Sequence, residues 1–413
     1  MKPARTAITD AYTPVPPAGN DAIGTNDRPT AWRTRATTRT TMRALAQDSY
    51  GGPDVLLAVV VAMPSPGPGQ VRVRVDASSV NARDWHVMRG EPRVARLLDR
   101  TVFSRTTPRV PIRGTDFAGT VDAVGPGVTR WRPGHRIFGE ADAAWAEYLV
   151  ADQDAVAVMP PGVGAEEAAA LPLAGTTALT CLSAGQPQAG DRLLINGASG
   201  GVGTYAIQMA RAMRLHVTTV CSARNANQAR LMGADAVIDY AVDDFCATTD
   251  RYDMVLDLVG NRSIRDLRNL LRPAGTLVVS GGGVPGTGRY IGPIGMFVRA
   301  QLLAGRPGPK IVIPQARPTT ERLEELADLM QSGALVPVID RVFTLGDAGD
   351  AVRYVETEHA RGKVVIVVDR ADLDPLKLAD REDPPPRRSS VTSSADTDLT
   401  PSAGANHTHL TED

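Results

Sequence analysis

The run Arg192-Leu193-Leu194-Ile195-Asn196 passes without a spacer into Gly197-Ala198-Ser199-Gly200-Gly201-Val202-Gly203. Tyr205 to Met213 then reads as a helix, with apolar residues at Ile207, Met209 and Ala210. A buried strand, a glycine turn and a helix in direct succession predict a βαβ unit with a dinucleotide-binding fingerprint. In the G-x-G-x-x-G register the chain has Ala198, Gly200 and Gly203. The small residue at 198 permits the tight turn, Gly200 lets backbone approach a pyrophosphate, and Gly203 lets the helix pack on the strand. Ser199, Gly201 and Val202 complete the turn, and helix N-terminal amides meet the phosphate charge.

The next strand, His216–Cys221, ends in Ser222-Ala223-Arg224-Asn225. NAD-binding chains carry an acid near this point for the ribose 2′-hydroxyl. Here a hydroxyl and a guanidinium replace it, and a guanidinium suits a phosphate in both charge and donor geometry. The expected cofactor is therefore NADPH rather than NADH. Tyr240, after the third strand, is a further candidate contact to the same phosphate. Gly281 and Gly282, after the fifth strand, are expected to let backbone pass close to the nicotinamide.

Five strands, Leu193–Asn196, His216–Cys221, Ala236–Ile238, Met254–Leu258 and Thr276–Ser280, alternate with helical stretches and imply a parallel sheet. Upstream the texture differs. Val71-Arg72-Val73-Arg74-Val75 alternates strictly, and Gly119–Gly125 is a second β-rich run, so this part reads as a largely antiparallel sheet. Glu321 to Met330 predicts an amphipathic helix. Lys363–Val368 is a last buried strand with no parallel neighbour expected close in sequence, and it is expected to rejoin the first sheet. The resulting division is a tail at 1–41, a β-rich catalytic part at 42–165, a Rossmann domain at 166–312, a return segment at 313–370 and a tail at 371–413. Both tails are rich in Thr, Pro, Ser or charged residues and are expected to be disordered.

A formal net charge of -1 gives no global field for nucleic acid or an anionic membrane. Cys181, Cys221 and Cys246 form no C-x-x-C pair and suggest neither a disulfide framework nor a cysteine-rich zinc lobe. No apolar run approaches the roughly 20 residues of a bilayer span, and no secretory segment follows Met1. The expected setting is cytoplasmic. No tyrosine has Lys four positions on, which excludes the Tyr-x-x-x-Lys pair of short-chain dehydrogenases.

In combination and order, several segments resemble the zinc-independent, quinone-oxidoreductase-like branch of the medium-chain dehydrogenase/reductase superfamily, across residues 42–369. They are Ser79–Trp85, Gly114–Gly119, Leu171–Ala178, Asn196–Gly203, Gly233–Tyr240 and Gly362–Val365. The resemblance implies a Rossmann doubly wound sheet inserted in a discontinuous GroES-like β-rich catalytic domain, often as a homodimer. It also implies reduction of quinones, enones or related carbonyls by NADPH. Zinc-dependent relatives hold their metal through Cys and His, where this chain has Asp84 (or a neighbour) and Thr115. The six histidines are scattered, so no metal is expected.

The resemblance makes Asn81 the leading polar contact near nicotinamide and acceptor. Trp85 becomes a candidate wall that stacks on a planar ring. Asp84 is either a group that orders the loop or a proton donor. Thr115 and Thr176 are candidate hydroxyl donors, and Lys363 is a candidate cofactor contact from the return segment. Each has a plainer reading: a turn cap for Asn81, packing for Trp85, and strand or helix-cap roles for the threonines. A quinone or enone is already electron-poor and needs less Lewis-acid help than a simple ketone, so an apolar or planar carbonyl acceptor is expected. The alternatives are an NADP-dependent alcohol dehydrogenase or carbonyl reductase, and a non-catalytic NADPH-binding sensor or scaffold.

Overall fold

A computed structural model describes residues 40–281, 294–305, 307–358 and 360–369. The expected tails, apart from Thr40 and Thr41, and the candidate Gly282 lie outside the described residues. Strands β1 (Thr41–Ala46) and β2 (Leu57–Ala62) pair antiparallel. Next come β3 (Gln70–Val80), β4 (Asp116–Val124), β5 (Arg136–Glu140), β6 (Tyr148–Asp152) and β7 (Val156–Val158). They form antiparallel ladders, with β6 also on β3. The alternation in β3 works as read: Val71, Val73 and Val75 are buried while Arg72 and Arg74 are half-buried.

A second sheet contains β8 (Arg192–Asn196), β9 (His216–Cys221), β10 (Ala236–Asp239), β11 (Tyr252–Asp257), β12 (Leu271–Val279) and β13 (Lys310–Val312). Its order is β10-β9-β8-β11-β12-β13 and every pairing is parallel. That is the doubly wound Rossmann order, with the switch point between β8 and β11. The sixth strand, β13, is only three residues long, too short to stand out as an apolar run.

The last two strands among the described residues are β14 (Ile339–Thr344) and β15 (Lys363–Val367), and β15 pairs antiparallel with β3, so the return segment rejoins the first sheet. One expectation is corrected here. β15 does have a parallel neighbour close in sequence, because β14 pairs with it across the helix Ala348–Thr357. β14 escaped notice because it is an edge strand whose side chains, Ile-Asp-Arg-Val-Phe-Thr, are half-buried or exposed and lack a buried run.

A continuous apolar core runs across the seam between the lobes. Ala77, Ala118, Phe138 and Val365 of the β-rich lobe belong to the same cluster as Leu193, Ile195, Tyr205 and Leu256 of the Rossmann lobe. The helix Thr320–Gln331, capped by the Thr319 hydroxyl, packs Leu323 and Leu326 into that cluster. In the helix Ile294–Ala304, Met296, Phe297 and Leu303 pack inward whereas Val298 and Leu302 are exposed. Among the described residues no helix is long and apolar enough to cross a membrane.

Candidate active site

The glycine turn leaves β8 at the switch point. Gly197 has φ +89°, a left-handed conformation that favours glycine. A Cβ on Gly203 would lie 2.4 Å from the Gly197 carbonyl oxygen, so the helix Gly201–Ala212 rests directly on the turn. A Cβ on Gly200 would meet only that same oxygen, at 3.7 Å, which leaves this side of the turn open. Ala198 is fully buried, and Val202 packs against the core. The first amides of the twelve-residue helix have no intrahelical acceptors. An open glycine cradle at the start of a helix fits a dinucleotide pyrophosphate.

At the far edge, the parallel register of β9 and β10 sets Cys221 beside Asp239. Ser222 and Tyr240 are the next residues along, so they emerge side by side. Ser222 caps the turn Ala223–Asn225 and accepts from Asn225 Nδ2 at 3.3 Å. Arg224 donates from Nη2 to the Glu358 carbonyl at 2.9 Å, which ties this edge to the return segment. Tyr240 is half exposed. Gly281 is buried, and a Cβ there would lie 2.7 Å from Val259 backbone, so local packing against that loop already requires glycine.

At the seam, strand register gathers polar groups that are far apart in sequence. Val364 pairs with Val80, which puts Lys363 opposite Asn81. Asp116, the first residue of β4, pairs with Glu140 of β5. Asp116 Oδ2 accepts from Ser79 Oγ at 2.7 Å, Asn81 Nδ2 at 2.9 Å and Lys363 Nζ at 3.3 Å. Its Oδ1 accepts from the Leu173 amide at 3.0 Å, at the start of the helix Pro172–Gly185. Lys363 Nζ also donates to Asn81 Oδ1 at 2.5 Å, and both Lys363 and Asp116 are buried. The Lys363 stem continues to the glycine turn, where a Cβ on Gly201 would lie 2.8 Å from its Cδ. One lysine thus spans from the antiparallel sheet to the glycine turn.

Asn81 opens the helix Ala82–Arg89, and Asp84 reaches back to accept from the Asn81 amide at 2.7 Å. The other Asp84 oxygen accepts from Thr115 Oγ at 2.8 Å. Burial pushes the Asp84 carboxyl up to about 6, and the Asp116 charge adds to this, while the bonds from Thr115 and Asn81 and the nearby Arg83 oppose it. Burial, with Asp116 adding, also holds the Glu140 carboxyl well above its ordinary range, against the pull of Arg83 and Lys363.

Asp84 and Thr115 line a small, partly enclosed cleft of about 30 Å³ whose wall also includes Arg113, Arg83, Asp142 and Val87. Trp85 faces the core instead, 5% exposed and stacked on the His86 imidazole at 3.6 Å between ring centres. Thr176 is fully buried in the helix that begins at the Asp116 contact, and its hydroxyl has no partner among the described residues. Among those residues, no three His, Cys, Asp or Glu side chains are grouped to hold a metal.

Asn81, Asp84, Thr115 and Lys363 therefore meet in one polar seam, with Thr176 one helical turn beyond Leu173. Trp85 sits behind it. Ser222, Arg224 and Tyr240 form a separate cluster at the sheet edge. Sequence reasoning missed Asp116, Glu140 and Arg113. A signal for the first was available: an acid that opens a strand and runs straight into apolar residues is disfavoured unless its charge is used.

Family profiles match this chain in two places. Residues 67–171 match the alcohol dehydrogenase GroES-like domain, and residues 232–366 match a profile described as zinc-binding dehydrogenase. The chain is 32% identical over 340 residues to a chloroplast envelope quinone oxidoreductase homolog of Arabidopsis thaliana, covering 79% of this chain and 98% of that one. It is 34% identical to the trans-enoyl reductase pgmF of Aspergillus terreus, covering 64% of this chain and 78% of that protein. Among solved structures, the quinone oxidoreductase from Coxiella burnetii superposes with a TM-score of 0.68 at 31% identity, covering 80% of this chain and all of the other.

Proposed function

The chain belongs to the medium-chain dehydrogenase/reductase superfamily, in its quinone-oxidoreductase-like branch, and on that premise we propose that it is an NADPH-dependent reductase of enones, quinones or related reactive carbonyls that needs no catalytic metal. The family is NAD(P)-dependent, and the cofactor supplies a hydride when bound. The observation that carries the reading is the Asp84–Thr115 hydrogen bond. By resemblance, Asp84 (or a neighbour) and Thr115 stand where zinc-dependent relatives carry metal ligands, and here Asp84 and Thr115 engage each other. An acceptor that is already electron-poor matches such a site. The relatives named quinone oxidoreductase and trans-enoyl reductase support the same acceptor class.

In this reading Gly200 to Gly203, with Ala198 and Ser199, hold the pyrophosphate, and Ser222, Arg224 and Tyr240 hold the 2′-phosphate. Gly281 lets backbone lie close to the nicotinamide end. Lys363 and Asn81, fixed by Asp116, set the distance between cofactor and catalytic sheet. The unpartnered Thr176 hydroxyl is available to a cofactor or acceptor oxygen in a water-poor place, where one donor counts for more than it does in solvent. Hydride transfer to an enone carbon leaves one proton to be added. Thr115 at the cleft wall delivers it from the state in which Asp84 is protonated. The Thr115 hydroxyl turns from Asp84 to the acceptor, Asp84 Oδ1–H donates to Thr115 Oγ in the reverse of the bond seen here, and solvent reprotonates Asp84, which titrates at about 6. Trp85 acts through packing, by holding the helix that carries Asp84.

The test is NADPH consumption with a panel of quinones, enones, aldehydes and, in reverse, alcohols. Turnover of enones or quinones well above the alcohols is expected. NADPH binding without consumption across the panel would replace this reading with the sensor or scaffold. Turnover confined to alcohols and simple aldehydes would replace it with the dehydrogenase.

A further inference from the structure

Arg113 stands in the same cleft, just before Gly114 and Thr115. It is 5% exposed, and among the described residues its guanidinium makes no hydrogen bond or ion pair. Its Nε is sealed from solvent with no acceptor. The nearby acids are used elsewhere. Asp84 accepts from the Asn81 amide and from Thr115, and Asp142 faces Arg83 at 3.6 Å. Burial lowers the Arg113 guanidinium to about 10, partly offset by Asp84 and Asp142, so it is still a cation at neutral pH. A buried cation without a hydrogen-bonded anion is costly and therefore uncommon unless a ligand completes it.

Backbone holds the residue in place. Its amide donates to Leu45 O and its carbonyl accepts from the Trp145 amide, while Gly114 at φ +92° packs so closely that a Cβ would lie 2.3 Å from the Trp145 indole. The backbone that carries the guanidinium is therefore held at the cleft wall. Around it are Val87, Val102, Val110 and Ile112, with Thr115 as the nearest polar neighbour in sequence. Arg83, Asp84, Thr101 and Asp142 share the wall, and because Arg83 is paired with Asp142, Arg113 is the cation there that an anionic end group would complete.

We propose that Arg113 is a specificity-determining residue, and that the acceptor reduced here carries a carboxylate which docks on its guanidinium while the electron-poor carbonyl faces Thr115. This rests on the reductase reading above. The planar fork of donors matches a carboxylate in two-point contact. Asp84 and Asp142 on the same wall repel a dianion, which favours a carboxylate over a phosphate.

The experiment compares (E)-6-oxohept-4-enoate with its methyl ester as acceptors, where two methylenes insulate the enone from the charge. Calorimetry with the saturated 6-oxoheptanoate then measures binding without turnover. Wild type is expected to favour the carboxylate over the ester at least tenfold in kcat/KM. Arg113→Met is expected to erase that ratio, and Arg113→Lys to keep only part of it. Reduction of both acceptors with no preference in wild type overturns the inference and leaves the reductase reading standing. If neither acceptor is reduced, calorimetry decides: binding of 6-oxoheptanoate that Arg113→Met abolishes supports the carboxylate site, and absence of binding to wild type overturns it.

Discussion

Asp84→Asn separates the electrostatic and structural roles of a buried acid in the seam. Asp84 is 4% exposed, and burial is the largest influence that moves its carboxyl from an ordinary 3.8 to about 6. Below pH 3.8 the group is neutral in folded and unfolded chains alike. Between 3.8 and about 6 the unfolded chain releases its proton first, so folding stability falls as pH rises through that window. Above it the whole penalty is present, on the order of 3 kcal/mol. An amide has almost the same shape, keeps an oxygen for the Asn81 amide, and offers N–H to a Thr115 hydroxyl that turns to accept. The variant should therefore gain at alkaline pH what the wild type loses. For a fold of roughly 320 residues, an unfolding entropy of about 0.7 kcal/mol/K converts 3 kcal/mol into about 4 °C.

Thermal unfolding followed by circular dichroism from pH 4 to 8.5 reads this out. The midpoint difference between variant and wild type should widen by about 4 °C from the acid end to pH 8. Any fixed cost of the altered hydrogen bonds shifts both ends equally and leaves the slope intact. A difference that does not change with pH would refute the reasoning, since it would mean that Asp84 is not held above its ordinary range. The same variant should lose about 100-fold in kcat at pH 7 if Asp84 supplies the proton.

Arg224→Ala should raise the Kd for NADPH at least tenfold and leave that for NADH unchanged, as read by cofactor fluorescence; equal NADPH affinity in variant and wild type sinks the assignment. Gly203→Ala drives a methyl to 2.4 Å from the Gly197 oxygen and 2.6 Å from Ala198 backbone, so it should abolish cofactor binding and lower the unfolding midpoint. Lys363→Met leaves the buried Asp116 with no cation and should destabilise by about 3–5 kcal/mol. Denaturant unfolding measures it, and a loss under 1 kcal/mol would show that Ser79, Asn81 and the Leu173 amide suffice for that charge.

The features legible in the sequence are local. Strand, glycine turn and helix at 192–213 announce themselves because period and glycine spacing act over a few residues, and the missing acid at Ser222 is likewise a single position. Family resemblance supplied Asn81, Asp84 and Thr115 as a set. The hub around Asp116 was not legible, because its partners are 37 and 247 positions away and only strand register brings them together. Arg113 was hidden for a related reason: an arginine between Ile112 and Gly114 reads as surface until the fold is seen to bury it. β14 was lost because an edge strand carries no buried run. Trp85 shows the opposite effect, since an aromatic beside a polar motif suggests a ligand wall, and the helix geometry turns it toward the core.

Lys363 lies 282 positions after Asn81, and β15 is the last strand among the described residues. During synthesis from the N-terminus, the glycine cradle and its whole parallel sheet leave the ribosome before the lysine that joins them to the catalytic sheet. The β-rich lobe must hold a place between β3 and β14 for a strand that arrives last, and the buried carboxylate of Asp116 waits with it for its cation. A ribosome-bound chain stopped short of residue 362 thus carries the glycine turn without the lysine that packs on it and pairs with Asp116.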